Sequence, residues 1–225
     1  SVDLQAASRL GIDVFNTPDA PTQAVAELTI AHMLNSLRHI STTDSNMRSG
    51  KWTPTMGSLL ATKTVGLIGV GRIGSAVAKL AQAFGARVIG FDPVVSSHSS
   101  VELLSLDEVL NQADIVSLHV PINDQTHHIM NANTISRMKP GSIVVNVSRG
   151  GLIDESALHD ALKSQHLSGA ALDCFEDEPY SGPLLQIPGV HVTAHMGSYA
   201  RETRDLMEVE ASTNLVNGLR KRGLI

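Results

Sequence analysis

Between Thr64 and Gly74 an apolar run, Thr64-Val-Gly-Leu-Ile68, passes directly into Gly69-Val-Gly-Arg-Ile-Gly74. The apolar run reads as a buried strand and the residues from Arg72 onward as a helix, so the glycines form the turn between them. Each glycine answers a different demand. Gly69 permits the tight turn, Gly71 lets the backbone approach a phosphate, and Gly74 lets helix and strand pack closely. The helix's free N–H groups and positive dipole end would then face an anion held over the turn. The next predicted strand, Ala86-Arg-Val-Ile-Gly-Phe-Asp92, ends in a carboxylate close to the spacing that suits a ribose 2′-hydroxyl. Glycine turn and carboxylate together predict a dinucleotide site.

The rest of the chain alternates strand and helix. Strands are predicted over Gly11–Asn16, Ala113–His119, Ser142–Val147, Gly169–Asp173 and Val190–Thr193, and helices over Arg72–Phe84, Leu106–Gln112, Ile129–Met138, Asp154–Gln165 and Ser198–Leu219. Val25, Leu28, Ala31, Leu34, Leu37 and Ile40 recur at helical spacing, which predicts one long helix from Gln23 to about Met47. The strand runs are continuously apolar, so the sheet is expected to be parallel and covered on both faces. This is the α/β class with a doubly wound parallel sheet.

Composition limits the function classes. The formal net charge of −5 and the lack of a long basic run argue against nucleic acid or an acidic membrane surface. No apolar run reaches the length needed to cross a bilayer. The single cysteine, Cys174, excludes an intrachain disulfide and fits a reducing cytoplasm. No His/Cys grouping has metal-ligand spacing, so no metal is expected.

In an open parallel sheet the ligand lies beyond the carboxyl ends of the strands. Of 10 histidines, only His119 and His195 stand at or just past the carboxyl end of a predicted strand. His191 falls inside a strand, and His32, His39, His98, His127, His128, His159 and His166 read as surface or supporting residues. Arg149 follows the buried strand before Gly150-Gly151, where a guanidinium could grip a carboxylate in bidentate fashion. Cys174 reads as a small buried hydrophobe. In Glu176-Asp177-Glu178-Pro179, spacing alone leaves open which acid is functional, or whether all three form a solvated loop. It leaves His119 and His195 unresolved as well.

Several segments, in order along nearly the whole chain, resemble the D-isomer-specific 2-hydroxyacid dehydrogenases, and the phosphoglycerate dehydrogenase branch in particular. They are Asn16-Thr-Pro, Val25-Ala-Glu-Leu, the glycine turn, Phe91-Asp-Pro, His119-Val-Pro, Val145 to Asp154, Leu172 to Pro179 and Thr193-Ala-His-Met-Gly-Ser198. The resemblance implies Arg149, Glu178 and His195 as the catalytic set. It implies an NAD site formed by Gly69, Gly71, Arg72, Ile73, Gly74, Asp92, Val120, Val147, Ser148, Arg149, Asp173, His195, Gly197 and Ser198. Asp92 would favour NAD over NADP, because a carboxylate repels a 2′-phosphate. The reaction implied is interconversion of a D-2-hydroxy acid and its 2-keto acid by hydride transfer between substrate C2 and NAD, in a cytoplasmic homodimer. Ala194 departs from the proline usual before the histidine.

By the same resemblance, residues 1–17 are expected to be a remnant of a flavodoxin-like substrate domain and 18–198 the Rossmann domain. Residues 199–225 would form a helix returning to that substrate domain. A chain lacking most of the substrate domain would bind NAD yet turn over poorly. Two other readings are an NAD-sensing, corepressor-like interaction protein, since such relatives keep the same set, and a truncated NAD-binding module without turnover.

Overall fold

A computed structural model describes residues 2–225. Its contacts divide the chain into one compact unit over Val25–Gly197 and another made of the segment up to Ala24 with Ser198–Ile225.

In the smaller unit, helix α1 (Leu4–Arg9) is capped by Asp3, whose carboxylate accepts the Ala6 amide. The stretch predicted as a strand, Gly11–Asn16, makes no ladder. It runs instead along the long terminal helix Arg201–Lys221. Asn214 donates to the Asn16 carbonyl at 2.9 Å, and Arg222, just past the helix, pairs with Asp13 at 2.6 Å. Gly218 leaves room for the Phe15 ring, which a Cβ there would meet at 2.0 Å.

The predicted Gln23–Met47 helix is two helices, α2 (Thr22–Arg38) and α3 (Ile40–Arg48), broken at His39 with φ 55°. The apolar stripe stops at Leu37, and α3 buries no residue to hold it in line with α2. Asn35 also takes over an amide at the break, its side-chain oxygen accepting the Ser41 N–H at 2.8 Å.

The larger unit is built on a parallel sheet of 7 strands: β1 (Thr64–Ile68), β2 (Arg87–Phe91), β3 (Glu102–Leu103), β4 (Ile115–Leu118), β5 (Ser142–Asn146), β6 (Leu167–Leu172) and β7 (Val190–Val192). Their order is β3-β2-β1-β4-β5-β6-β7. The two-residue edge strand β3 falls between the predicted elements that end at Asp92 and begin at Leu106. Helices α4 (Arg72–Ala83), α5 (Leu106–Gln112), α6 (Ala132–Ser136) and α7 (Glu155–Lys163) alternate with the strands, and Arg201–Lys221 is α8. Ser105 and Asp154 cap α5 and α7 by accepting first-turn amides.

Both faces of the sheet are covered. Val65, Leu67, Ile115, Ile143 and Val145 pack with Ile30, Met33 and Leu37 of α2 and Val77, Ala78 and Ala81 of α4. Ile68, Val116, Leu118 and Val144 turn to the other face, against Leu110, Ile135, Leu158 and Leu162. The central strands β4 and β5 are continuously buried and β1 nearly so, as the apolar runs predicted, while the edge strands β3 and β7 are partly exposed. Gly66 shows how tightly the second face is filled, since a Cβ there would meet Val109 and Ala113 side-chain carbons at 2.7 Å. We expect Gly66→Val to lower unfolding free energy by about 1–3 kcal/mol, the usual cost of overpacking. An unchanged urea midpoint would contradict this account of the packing.

Candidate active site

Strand order reverses between β1 and β4, and the loops that leave their carboxyl ends meet there. Gly69 has φ 100°, and a Cβ on it would lie 2.7 Å from the His119 carbonyl. Gly74 is pressed against the Gly69 carbonyl, which a Cβ would approach to 2.1 Å. Gly71, the N-cap of α4, meets nothing within 4 Å. Two glycines therefore close the turn and the third leaves the helix N-terminus open. Arg72 begins α4 on the surface, while Ile73 packs towards the sheet.

Asp92, just past β2, accepts the Val70 amide at 2.8 Å and those of Val94 and Val95 at 2.9 and 3.0 Å. Burial alone would raise its pKa, but the three amides outweigh that and hold the carboxyl below its usual range. Oδ1 takes the Val94 and Val95 amides, so Oδ2, with the Val70 amide alone, keeps lone-pair capacity for a hydroxyl donor. The open helix end and the ionised carboxylate across the turn fit a dinucleotide. Val120 and Ser148 are joined by a 2.9 Å bond from the Ser148 hydroxyl to the Val120 carbonyl, above buried Val147.

A second group of polar residues gathers at the ends of β5, β6 and β7. Asp173, with no exposed surface, accepts the Thr193 hydroxyl at 2.5 Å and the amides of Met196 and Gly197 at 2.9 and 2.8 Å. These bonds hold the turn on which His195 sits with φ 50°. His195 Nδ1 lies 2.8 Å from a Glu178 oxygen, and the other oxygen of Glu178 accepts the Phe175 amide at 3.0 Å. The bond to Glu178 leaves Nε2 as the ring nitrogen turned away from the carboxylate.

For Glu178, burial would raise the pKa, but bonds from His195 and Phe175 and the Arg149 charge hold it below the ordinary value. Arg149 is exposed and donates to the Ser148 carbonyl at 2.6 Å. A pocket of about 570 Å³, lined in part by Phe175, Tyr180, Leu185 and Val192, opens beside Glu178 and His195. Ser198 lies in the turn ahead of α8 and begins the second segment of the smaller unit.

Some supporting residues were not visible in the sequence. Asn146 is buried at the end of β5, where it donates to the Arg149 carbonyl and accepts the Ser148 amide at 2.8 and 3.1 Å. A polar residue closing an apolar strand was the available signal. His32, read as a surface or supporting position on a helix, is buried and 3.1 Å from the Thr193 hydroxyl. Cys174 is buried, and burial together with the charges of Asp173 and Glu178 pushes its thiol up to about 12, so it stays protonated and inert. His119 lies beneath the glycine turn, 2.9 Å from the Ser117 hydroxyl, with a sealed Nδ1 that has no partner among the described residues.

Residues 30–197 match the family described as D-isomer specific 2-hydroxyacid dehydrogenase, NAD binding domain. The chain belongs to this family. A D-3-phosphoglycerate dehydrogenase of Methanocaldococcus jannaschii is 42% identical over 212 residues, which cover 91% of this chain and 40% of that protein. A hydroxypyruvate reductase of Thermotoga maritima is 41% identical over 217 residues, covering 93% of this chain and 71% of the relative. The chain thus spans less than half of the first relative's length.

Among solved structures, a glyoxylate reductase from Paecilomyes thermophila superposes with a TM-score of 0.93 at 35% identity, covering 98% of this chain and 69% of its own. An acyclic imino acid reductase in complex with NADPH gives 0.92 at 33% identity, with 97% and 72% covered. In this family's NAD-binding domain, the glycine turn and Asp92 are the residues whose geometry fits the dinucleotide.

Burial pushes the His119 imidazole down to about 4. The folded pKa is the lower one, so above the ordinary value of 6.5 the group contributes no pH dependence. Below it the unfolded chain takes up a proton that the folded chain refuses, and stability falls until the pH passes the folded value. The loss is at most about 3 kcal/mol, and smaller because part of the residue reaches solvent. We expect His119→Gln to flatten the fall in unfolding free energy over this range, measured by urea titration. An identical slope in the variant would contradict the assignment.

Proposed function

We propose that the protein containing this chain is an NAD-dependent oxidoreductase that interconverts a D-2-hydroxy acid and its 2-keto acid, with 3-phosphoglycerate-type substrates first among the candidates. The carrying observation is the 2.8 Å bond between Glu178 and His195, with Arg149 close enough for its charge to act on Glu178. Relatives named as phosphoglycerate dehydrogenase and hydroxypyruvate reductase support a small, carboxylate-bearing substrate.

When bound, NAD supplies the hydride acceptor. The residues of the chain manage charge and protons. Glu178 orients the imidazole through Nδ1–H, which leaves the Nε2 lone pair to take the proton of the C2 hydroxyl as that carbon becomes a carbonyl. In the reverse direction Nε2–H returns it. The Arg149 guanidinium holds the substrate carboxylate or the C2 oxygen and offsets the charge that develops there. Asn146 fixes the backbone from which Arg149 extends. Asp92 would select NAD over NADP by repelling a 2′-phosphate. The exposed Trp52, Met56 and Leu59 are candidates for the surface that meets a second copy.

In the full-length protein, His195→Ala should lower kcat by at least about a hundredfold, the usual scale of acid–base catalysis. NADH titration should give a Kd altered far less than kcat, and tighter than that for NADPH. Undiminished turnover in the variant would sink the role of His195, and tighter NADPH binding that of Asp92.

A further inference from the structure

Away from the Glu178–His195 pair, three potential ligand atoms, from His127, His128 and Glu176, lie within 4.8 Å of one another. The two imidazoles stack with centroids 3.9 Å apart and planes inclined by 25°. His128 Nε2 contacts a Glu176 carboxylate oxygen directly. The sequence conceals this grouping, because adjacent histidines meet a glutamate 48 residues away. The side chains are exposed or half-buried, so a cation would reach them from solvent.

The backbones that carry these side chains are anchored to the same short 3-10 turn, Gly150–Leu152. The His128 amide donates to the Gly151 carbonyl at 2.9 Å and the Met130 amide to Leu152 at 3.0 Å. On the other side, Gly150 lies so close to the Phe175–Glu176 peptide that a Cβ would meet the Phe175 carbonyl carbon at 1.8 Å. The Glu176 amide is held further by the Glu155 carboxylate at 2.8 Å. Ligands fixed by their supporting backbone bind a metal with less ordering cost than ligands on free loops.

We propose that His127, His128 and Glu176 form a binding site for a divalent transition-metal cation, best suited to Zn²⁺. Two imidazoles and a carboxylate match the borderline N/O preference of zinc, whereas magnesium and calcium prefer oxygen alone. Tetrahedral zinc needs ligand atoms roughly 3.4 Å apart, so small side-chain rotations complete the site and water takes the fourth position. Glu155 lies close enough to Glu176 and Asp177 to feel both carboxylate charges, a concentration of negative charge that favours a cation. The bound ion would clamp the segment after β4 to the loop after β6.

The test is calorimetric titration of the chelator-treated protein with Zn²⁺, repeated with Co²⁺ to read the visible absorption of a tetrahedral site. The variants are His128→Asn, chosen because asparagine tolerates the positive φ at this position, and Glu176→Gln. Circular dichroism checks that each is folded. The expected result is one equivalent per chain, weakened about tenfold or more in each folded variant, and a Zn²⁺-dependent rise in Tm seen only in the parent. Absence of stoichiometric uptake by the parent would overturn the proposal. So would uptake that persists unchanged in a folded variant, since it would then belong to other histidines.

Discussion

The buried carboxylate of Asp173 is the interaction on which the arrangement at the strand ends depends. It has no exposed surface, and it accepts one hydroxyl and two amides from the segment that follows β7. Removing such a charge from water costs several kcal/mol, and the three charge-assisted bonds are what compensate it. What it does is positional. In the geometry by which the Thr193–Gly197 segment satisfies Asp173, His195 takes a left-handed backbone and reaches Glu178.

The same logic of pinned strand ends extends across the sheet. The Asp173 amide donates to the Asn146 carbonyl, and the Thr193 amide donates to Leu172, so β5, β6 and β7 end in register. Asn146 then sets Arg149 as Asp173 sets His195. At the β1/β4 switch point the closing elements are glycines instead, because backbone must lie against backbone at Gly69 and Gly74. An exposed helix end and a rigid polar cluster thus face the same, carboxyl, end of one parallel sheet.

Much of this was legible in the sequence, where one residue type had one physical use. The glycine turn, the strand closed by Asp92 and the continuously apolar strands required a parallel sheet with an anion site at its switch point. The misreadings came where local pattern competed with tertiary partners. Ile40 extended the helical stripe by spacing, yet it is exposed and lies beyond the break at His39. Gly11–Asn16 is strand-like in composition but is bonded by side chains of the C-terminal segment instead of a neighbouring strand. His32 reads by position as surface or support, and its approach to Thr193 places it in the Asp173 cluster. Glu176 and Glu178 are indistinguishable by spacing. The structure separates them by partner, His128 for one and His195 for the other.

The central claim is that Asp173 fixes His195 in one tautomer against Glu178. Ring ¹⁵N NMR of the histidines tests it directly, with the His195 signals assigned by substitution and compared with those of a folded Asp173→Asn protein. The account predicts a proton on Nδ1, facing Glu178, in the parent, and mixed tautomers in the variant. A proton on Nε2 in the parent, or a His195 spectrum indifferent to the loss of the Asp173 charge, would contradict it.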